Sequence, residues 1–299
     1  MMEYLRTPEQ EFQDLEDYPF PPHYLEVSGD GMRMHYVEEG NMSGETVLLL
    51  HGEPSWSYLY RHMIPVLASA GFRVIAPDLI GFGKSDKPLR REDYTYQAHM
   101  DWLQIFIDKL SLDRINLFCQ DWGGLLGLRL VALNSERFSR VMASNTFLPT
   151  GEGKPSQGFL DWRNFSQKVK RLPIGKIIQG GCVKTLSSGA MKAYVAPFPS
   201  EAYKEGARQF PVLVPVEEED PEGKKNVEAW KVLSEWRKPF LTAFSNKDPV
   251  TSKGEIIFKR KVPGTKGMKH IIIQDAGHFS QEDKGNELAE LMVEFIRNT

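Results

Sequence analysis

The chain has 299 residues, of which 41% are hydrophobic and 26% are charged, and its formal net charge at pH 7 is −3. This length allows one large α/β domain with an insertion, or two ordinary domains. The balanced charge, without runs of Lys and Arg, excludes a typical nucleic-acid-binding protein. The N-terminus lacks the basic and apolar regions of a signal peptide, and no apolar run is long enough for a membrane span. We therefore expect a cytoplasmic protein without a nucleic-acid or membrane partner.

The first half of the chain alternates strand and helix patterns after a predicted hairpin. Segments 24–27 and 32–37 alternate in polarity and flank a Gly-Asp-Gly turn, which is a hairpin signal. The predicted elements that follow are strand Thr46–Leu50, helix 56–70, strand 73–76, helix 94–110, strand Ile115–Gln120, helix Trp122–Leu133 and strand 141–145. This alternation predicts a mostly parallel sheet that helices cover on both faces.

From about residue 150 the pattern changes to short helices without strands, broken by Pro and Gly. The predicted helices of this insertion are 159–166, 174–178, 188–194 and 201–208. The acidic run 217–221 that closes the insertion is predicted to be solvated surface. Beyond it the predicted elements are helix 227–236, strand 239–244, helix 253–261, strand 270–273 and helix 285–298. We therefore predict an α/β core of residues 1–149 and 217–299 with a helical cap of residues 150–216.

One sharp strand-to-helix turn is predicted at Asp121. The apolar strand breaks at Gln120 and Asp121, two glycines follow, and an apolar helical pattern resumes at once. The nucleophile elbow of α/β-hydrolases has this form, with small residues around a Ser. Here Cys119 and Gly123 are the small residues and Asp121 replaces the Ser. The segment alone fits equally well an Asp that only caps the following helix.

Polar residues also follow the other predicted strands, at the sheet edge where such folds bind ligands. The candidates are His51-Gly-Glu-Pro54, Asp78, Asp121-Trp122, Asn145, Asn246-Lys-Asp-Pro249 and Asp275-Ala-Gly-His278. The α/β-hydrolase triad runs nucleophile, acid, His along the chain, and Asp121, Asp248 and His278 have this order. Singly, Asp248 also fits a turn residue and His278 a loop histidine. Their joint order favours a triad.

Four segments resemble those of the haloalkane dehalogenases. They are His51-Gly-Glu-Pro-Ser-Trp-Ser-Tyr58, Asp78-Leu-Ile-Gly-Phe-Gly-Lys-Ser-Asp-Lys-Pro88, Gln120-Asp-Trp-Gly-Gly124 and Asp275-Ala-Gly-His-Phe279. The resemblance extends over nearly the whole chain, including Tyr194-Val-Ala-Pro-Phe-Pro199 in the predicted cap. Epoxide hydrolases also carry Asp-Trp-Gly, but its combination with His-Gly-Glu-Pro-Ser-Trp is far more specific.

The resemblance implies an α/β-hydrolase fold with eight mostly parallel strands and a cap inserted after the sixth strand. It implies hydrolysis of a small haloalkane to an alcohol and a halide, with water as co-substrate and without a cofactor or metal. Asp121 would form an alkyl ester, and His278, oriented by Asp248, would activate the water. The backbone N–H groups of Glu53 and Trp122 would form the oxyanion hole.

A leaving halide also needs donors in a dry pocket, and the indole N–H of Trp122 is well suited. In the resembled family the second donor is an Asn after His-Gly or a Trp of the cap. Because Glu53 follows His-Gly here, the resemblance assigns the second donor to Trp162. Without the resemblance, the helical spacing of Trp162 and its apolar neighbours favours a core-facing helix.

The triad acid of the resembled family follows either the sixth or the seventh strand. Asn145 follows the sixth strand here and cannot hold a charge, so the resemblance assigns the acid to Asp248. We assign Asp78 and Asp86 to loop structure. Cys119 and Cys182 have neither disulfide nor metal-ligand spacing, and we predict that both are buried thiols.

Two alternative functions stay open on the sequence. An epoxide hydrolase would use the same Asp-His-Asp triad with two cap tyrosines, and Tyr194 and Tyr203 are available. Trp162 and Glu53 argue against it. A non-catalytic receptor of the same fold would usually carry a damaged triad, whereas this one is intact. We expect a monomer or a weak homo-oligomer.

Overall fold

A computed structural model describes residues 2–252 and 254–299. The strands are β1 (Tyr4–Leu5), β2 (His23–Glu26), β3 (Arg33–Gly40), β4 (Thr46–Leu50), β5 (Arg73–Pro77), β6 (Lys87–Pro88), β7 (Ile115–Gln120), β8 (Phe138–Ser144), β9 (Phe240–Ser245) and β10 (Ile271–Ile273). The α-helices are α1 (Met63–Ser69), α2 (Tyr96–Lys109), α3 (Trp122–Leu133), α4 (Gln157–Lys168), α5 (Ile174–Gly180), α6 (Ser188–Val195), α7 (Glu205–Leu213), α8 (Pro221–Leu233), α9 (Gly254–Lys261) and α10 (Ser280–Arg297).

Eight of these strands form the predicted mostly parallel sheet, in the order β2-β3-β5-β4-β7-β8-β9-β10. Strand β3 is antiparallel to both of its neighbours, and the remaining neighbouring pairs are parallel. Every residue of β4 and β7 is buried, as expected for central strands that helices cover on both faces. A short antiparallel ladder between β1 and β6 lies outside this sheet and was not predicted.

Two predicted helices differ from the structure for identifiable reasons. The helix predicted over 56–70 was wrong as one element, because it is a 3-10 turn, Ser57–Tyr60, followed by α1. A helix running through this segment would place Pro65 in its interior, whereas in α1 Pro65 lies in the first turn, where no N–H is needed. The last helix begins at Ser280, earlier than predicted, and Lys284 interrupts its helical backbone with φ −142° and ψ 36°.

Between β8 and β9 the described residues form helices and loops without a strand, as predicted for the insertion. Helix α8 begins at Pro221, well before its predicted start at 227, because the Asp220 side chain accepts from the Glu222 N–H at 2.8 Å and caps it. The helix predicted over 253–261 is α9, and Lys253 lies outside the described residues. Within residues 2–252 and 254–299 no helix has the length and apolarity needed to cross a membrane.

Candidate active site

Asp121 lies on the predicted sharp turn between β7 and α3. Its backbone has φ 53° and ψ −129°, a conformation that residues other than Gly rarely adopt. The turn is held by the Asp121 N–H, which donates to the Asn145 carbonyl at 3.0 Å, and by the Thr146 hydroxyl, which donates to the Asp121 carbonyl at 2.8 Å. The side chain of Asp121 caps no described N–H of α3. The helix-cap interpretation is therefore wrong, and the strained turn directs the carboxylate away from the helix.

Two glycines leave the space that this turn needs. A Cβ atom at Gly123 would collide with the backbone carbonyl of Leu50 on the neighbouring strand. A Cβ atom at Gly52 would collide with the carboxylate of Asp121 itself. Larger residues at either position would therefore separate β4 from the turn or displace the carboxylate.

His278 faces Asp121 from the loop after β10, and Asp248 lies behind it in the loop after β9. The Nε2 atom of His278 is 3.4 Å from Oδ2 of Asp121, and its Nδ1 atom is 3.1 Å from Oδ1 of Asp248. Burial disfavours the imidazolium form, but Asp248 and Asp121 outweigh it and raise the pKa of His278 to about 10. The structure thus brings the three predicted triad residues together in the predicted order.

Asp248 also serves as a turn residue. Its carboxylate accepts the Val250 N–H at 2.8 Å, the Thr251 N–H at 3.2 Å and the Thr251 hydroxyl. Burial alone would raise the pKa of Asp248, but the positive charge of His278 and these hydrogen bonds lower it to about 2. Asp248 is therefore both a turn residue and the partner of His278.

One predicted oxyanion-hole donor contacts the carboxylate directly. The backbone N–H of Glu53 donates to Oδ1 of Asp121 at 2.8 Å. The other predicted donor, the backbone N–H of Trp122, belongs to the first residue of α3, where no helical acceptor exists. Oδ1 of Asp121 is thereby held at the Glu53 N–H, while Oδ2 remains towards His278.

The side chain of Glu53 makes a contact that the sequence did not reveal. Its Oε1 atom accepts the indole N–H of Trp162 at 3.1 Å, and its buried Oε2 atom has no partner among the described residues. Burial and the nearby charge of Asp121 raise the pKa of Glu53 well above its usual value. The carboxyl group of Glu53 therefore occupies the indole N–H of Trp162 that was predicted to bind halide.

A cavity of about 230 Å³ lies over the Asp121 carboxylate. Its walls are Glu53, Asp121, Trp122, Leu125, Phe147, Phe159, Trp162, Ile177, Gly180, Gly181, Pro211, Val214, Pro249, Val250, His278 and Phe279. The cavity is lined mostly by apolar groups, which suits a small apolar ligand. A larger cleft of about 490 Å³ adjoins it and shares several apolar walls, but none of Asp121, Asp248 and His278 lines that cleft. The candidate chemistry therefore belongs to the smaller cavity.

Both predicted halide donors line this cavity. Trp122 is buried against Tyr96 and Phe210, with ring centroids 5.2 and 4.6 Å away. Trp162 lies on α4, where its neighbour Phe165 is 42% exposed. The apolar side of α4 is therefore not a buried core face, and it lies partly over the cavity instead.

Two amides next to the triad had no predicted role at the site. The side-chain nitrogen of Gln120 lies 3.1 Å from both Nε2 and the carbonyl oxygen of His278. The side-chain nitrogen of Asn145 donates to the carbonyls of Gly277 and His278, and its oxygen accepts the Ser245 N–H. Asn145 therefore fixes the backbone of the His278 loop. Because strand ends converge in this fold, the position of both residues at the end of a strand was the available signal.

The remaining candidates lie away from the cavity. Asp78 binds Nδ1 of His35 at 2.7 Å and two backbone N–H groups, and Asp86 forms a bidentate pair with Arg6. Both carboxylates therefore support loop structure. Neither Tyr194 nor Tyr203 lines the cavity. Cys119 is buried as predicted, whereas Cys182 is partly exposed.

Comparison with known proteins agrees with this geometry. The model of a family described as alpha/beta hydrolase fold matches residues 45–285. The chain is 55% identical to a haloalkane dehalogenase of Psychrobacter cryohalolentis over 99% of both proteins. The chain belongs to the haloalkane dehalogenases. It is also 47% identical to a haloalkane dehalogenase of Mycolicibacterium paratuberculosis, over 98% of both proteins.

A solved haloalkane dehalogenase also has the same fold. The tetrameric structure of the enzyme DpaA from Paraglaciecola agarilytica NO2 superimposes with a TM-score of 0.89 over 97% of both chains, at 36% identity. The predicted fold class and family are thereby confirmed. In this haloalkane dehalogenase, the predicted site residues surround one cavity at the carboxyl ends of the parallel strands, except Asp248, which lies behind His278.

Proposed function

We propose that the protein hydrolyses haloalkanes to an alcohol and a halide ion, with Asp121 as nucleophile. The observation that carries the proposal is the Asp121 carboxylate, which opens into an apolar cavity between His278 and two indoles. A carboxylate is anionic at neutral pH, so it can attack a saturated carbon without a base. A serine at the same turn would first have to lose its proton.

In the first half-reaction, Oδ2 of Asp121 attacks the carbon that carries the halogen. The carbon–halogen bond breaks, the halide leaves with the electron pair, and an alkyl ester of Asp121 forms. The Glu53 N–H holds Oδ1 away from the attacking direction. The indole N–H groups of Trp122 and Trp162 replace the hydration that the halide lacks in the cavity.

In the second half-reaction, water attacks the carbonyl carbon of the ester and gives its proton to Nε2 of His278. Negative charge develops on Oδ1, which the backbone N–H groups of Glu53 and Trp122 stabilise. Cleavage of the ester releases the alkoxide, which takes the proton from His278 and leaves as the alcohol. Asp121 is then a carboxylic acid, and it loses the remaining proton of the water to solvent, which restores the carboxylate. Asp248 stabilises the imidazolium that forms between these steps.

Halide binding requires an exchange at Trp162. Its N–H is occupied by Glu53, so the halide has to displace that contact. Burial and the charge of Asp121 raise the pKa of Glu53, which favours its neutral form and weakens its repulsion of the arriving anion. The carboxyl group of Glu53 next to the halide site therefore does not prevent a halide from binding there.

The division into a core of residues 1–149 and 217–299 and a cap of residues 150–216 belongs to the same proposal. It is supported by the strand-free helical segment between β8 and β9, from which Trp162 contributes to the cavity. The lack of a cofactor and of a metal, the cytoplasmic location, and the monomeric or weakly oligomeric state stay predictions.

The test is to incubate the purified protein with 1-bromobutane and to follow bromide release by ion chromatography. 1,2-Epoxybutane is incubated in parallel and its diol is measured. We expect stoichiometric bromide and 1-butanol, and no diol. Diol without bromide would favour an epoxide hydrolase, although neither Tyr194 nor Tyr203 lines the cavity. Binding of both compounds without any product would favour a receptor.

A further inference from the structure

Gln120 makes a contact with the candidate base that the proposed function does not use. It is the last residue of β7, directly before the nucleophile, and its side chain has no solvent exposure. Its amide nitrogen lies 3.1 Å from Nε2 of His278 and 3.1 Å from the carbonyl oxygen of the same residue. The amide oxygen of Gln120 is buried and has no partner among the described residues.

The contact with the carbonyl oxygen fixes which end of the Gln120 amide faces His278. A carbonyl oxygen can only accept, so the NH2 group has to point towards it. The opposite orientation would set the amide oxygen against that carbonyl oxygen. The hydrogens of the same NH2 group, which carry partial positive charge, therefore also face Nε2. This arrangement suits a neutral imidazole whose proton is on Nδ1, next to Asp248.

We propose that Gln120 is a positioning residue that favours the neutral form of His278 in the ester intermediate, so that Nε2 can take the proton of the attacking water. This inference rests on the proposed function. A base works best when its protonated and neutral forms are balanced near the working pH. The carboxylate of Asp248 favours the imidazolium, and the NH2 group of Gln120 opposes it.

The charged groups around His278 explain why this effect belongs to the ester stage. Three carboxyl groups are close, those of Asp248, Asp121 and Glu53, and the first two together raise the pKa of His278 in the free enzyme. Esterification removes the charge of Asp121. Asp248 and Gln120 are then the groups that face the two ring nitrogens, and Gln120 determines how readily the imidazolium loses its proton.

The substrate-free test uses Asp121→Asn, whose neutral side chain resembles the ester. The pKa of His278 is measured by NMR titration in this variant alone and combined with Gln120→Met or with Gln120→Glu. We expect the pKa of His278 to be lowest in Asp121→Asn alone, higher with Gln120→Met and highest with Gln120→Glu. The rise for Gln120→Glu should be about 1 to 3 units, because a carboxylate then faces Nε2. Assignment uses the signal that His278→Gln removes. An unchanged pKa in both double variants would overturn the proposal, whether or not the protein releases halide.

The kinetic test keeps Asp121 and uses the single variants. In Gln120→Glu the alkyl ester should accumulate at pH 7, visible by mass spectrometry, and the acid limb of ester hydrolysis should move to higher pH by about one unit or more. Gln120→Met should move this acid limb by a smaller amount. In both variants the rate of ester formation should change less than the rate of ester hydrolysis. The matched control is Gln97→Glu, the same change at an exposed position. If both Gln120 variants slow hydrolysis with an unmoved pH profile, the role is only structural.

Discussion

Two buried carboxyl groups flank the candidate nucleophile, and their pKa values shift in opposite directions. Asp248 is 4% exposed and Glu53 is 7% exposed, so burial alone would raise the pKa of both. Asp248 faces the imidazole of His278 and three other hydrogen-bond donors, and its pKa falls to about 2. Glu53 faces the carboxylate of Asp121, and its pKa rises. Because burial acts in the same direction on both groups, the neighbouring charges and hydrogen bonds account for the opposite directions of the two pKa shifts.

This difference separates the site into a charged side and a neutral side. On the His278 side, Asp248 keeps a negative charge that stabilises an imidazolium. On the Glu53 side, the raised pKa of the carboxyl group disfavours a negative charge beside the indole N–H of Trp162, which the proposed halide would have to take over from Glu53. One buried cavity can then stabilise a cation on one wall and a halide on another. The predictions below alter each side in turn.

The largest effect is expected for Asp121→Ala, which removes the carboxylate that lies between the His278 side and the Glu53 side. Without the carboxylate no ester can form, and halide release should fall by at least about 10⁴-fold. Bromide release from 1-bromobutane measures this effect, with circular dichroism as the check on folding. A folded variant that kept more than a small fraction of its activity would contradict the ester mechanism.

The next largest effect is expected for Asp248→Asn, which removes the charge from the His278 side. The amide keeps the shape of the turn, but it no longer stabilises the imidazolium. Hydrolysis of the ester should slow by about 10³- to 10⁴-fold. Ester formation should change much less, because Asp121 attacks without a base. Rapid-quench kinetics should therefore show one halide released per enzyme, followed by a stall.

A smaller effect is expected for Trp162→Phe, on the neutral side. The loss of one hydrogen bond to an anion should weaken bromide binding by about 10- to 100-fold. Quenching of tryptophan fluorescence by bromide measures the affinity. The matched control is Trp236→Phe, whose indole N–H is buried and has no partner among the described residues. Equal bromide affinity in the two variants would contradict a halide role for Trp162.

The triad could be predicted from sequence because its positions follow from backbone rules. Asp121 lies where an apolar strand breaks before two glycines, and parallel strands bring their carboxyl ends to one edge. The order of Asp121, Asp248 and His278 then agrees with the order of the strands. None of these inferences needs the direction of a side chain.

The contacts of Gln120 and Glu53 could not be predicted, because they depend on side-chain directions and on a loop path. The side chain of Glu53 meets Trp162 only because α4 of the insertion lies over the cavity. The same limit explains the missed ladder between β1 and β6, since two residues per strand are too few for a periodic pattern. Pro65 was a readable signal for the divided helix, and the prediction did not use it.

The smallest effect on activity is expected for Glu53→Gln, which makes the neutral side permanently neutral. The backbone N–H that holds Asp121 remains, so halide release should stay within about threefold of wild type, a change of about 0.6 kcal/mol. The effect on stability is larger and depends on pH. Because the folded pKa of Glu53 is raised, the folded state keeps a proton that the unfolded state loses above about pH 4.5.

The contribution of Glu53 to the stability of the wild-type protein therefore falls as the pH rises above 4.5. The Gln variant lacks this pH dependence. The advantage of Glu53→Gln in free energy of unfolding, measured by urea denaturation, should grow as the pH rises above 4.5. Asp248 has the opposite sign: its lowered pKa stabilises the folded state above pH 3.8, and this contribution is lost as the pH falls from 3.8 towards 2. The advantage of wild type over Asp248→Asn should therefore shrink in acid. If the difference in free energy of unfolding between wild type and variant changed with pH in the same direction for both variants, the opposite pKa shifts of Glu53 and Asp248 would be contradicted.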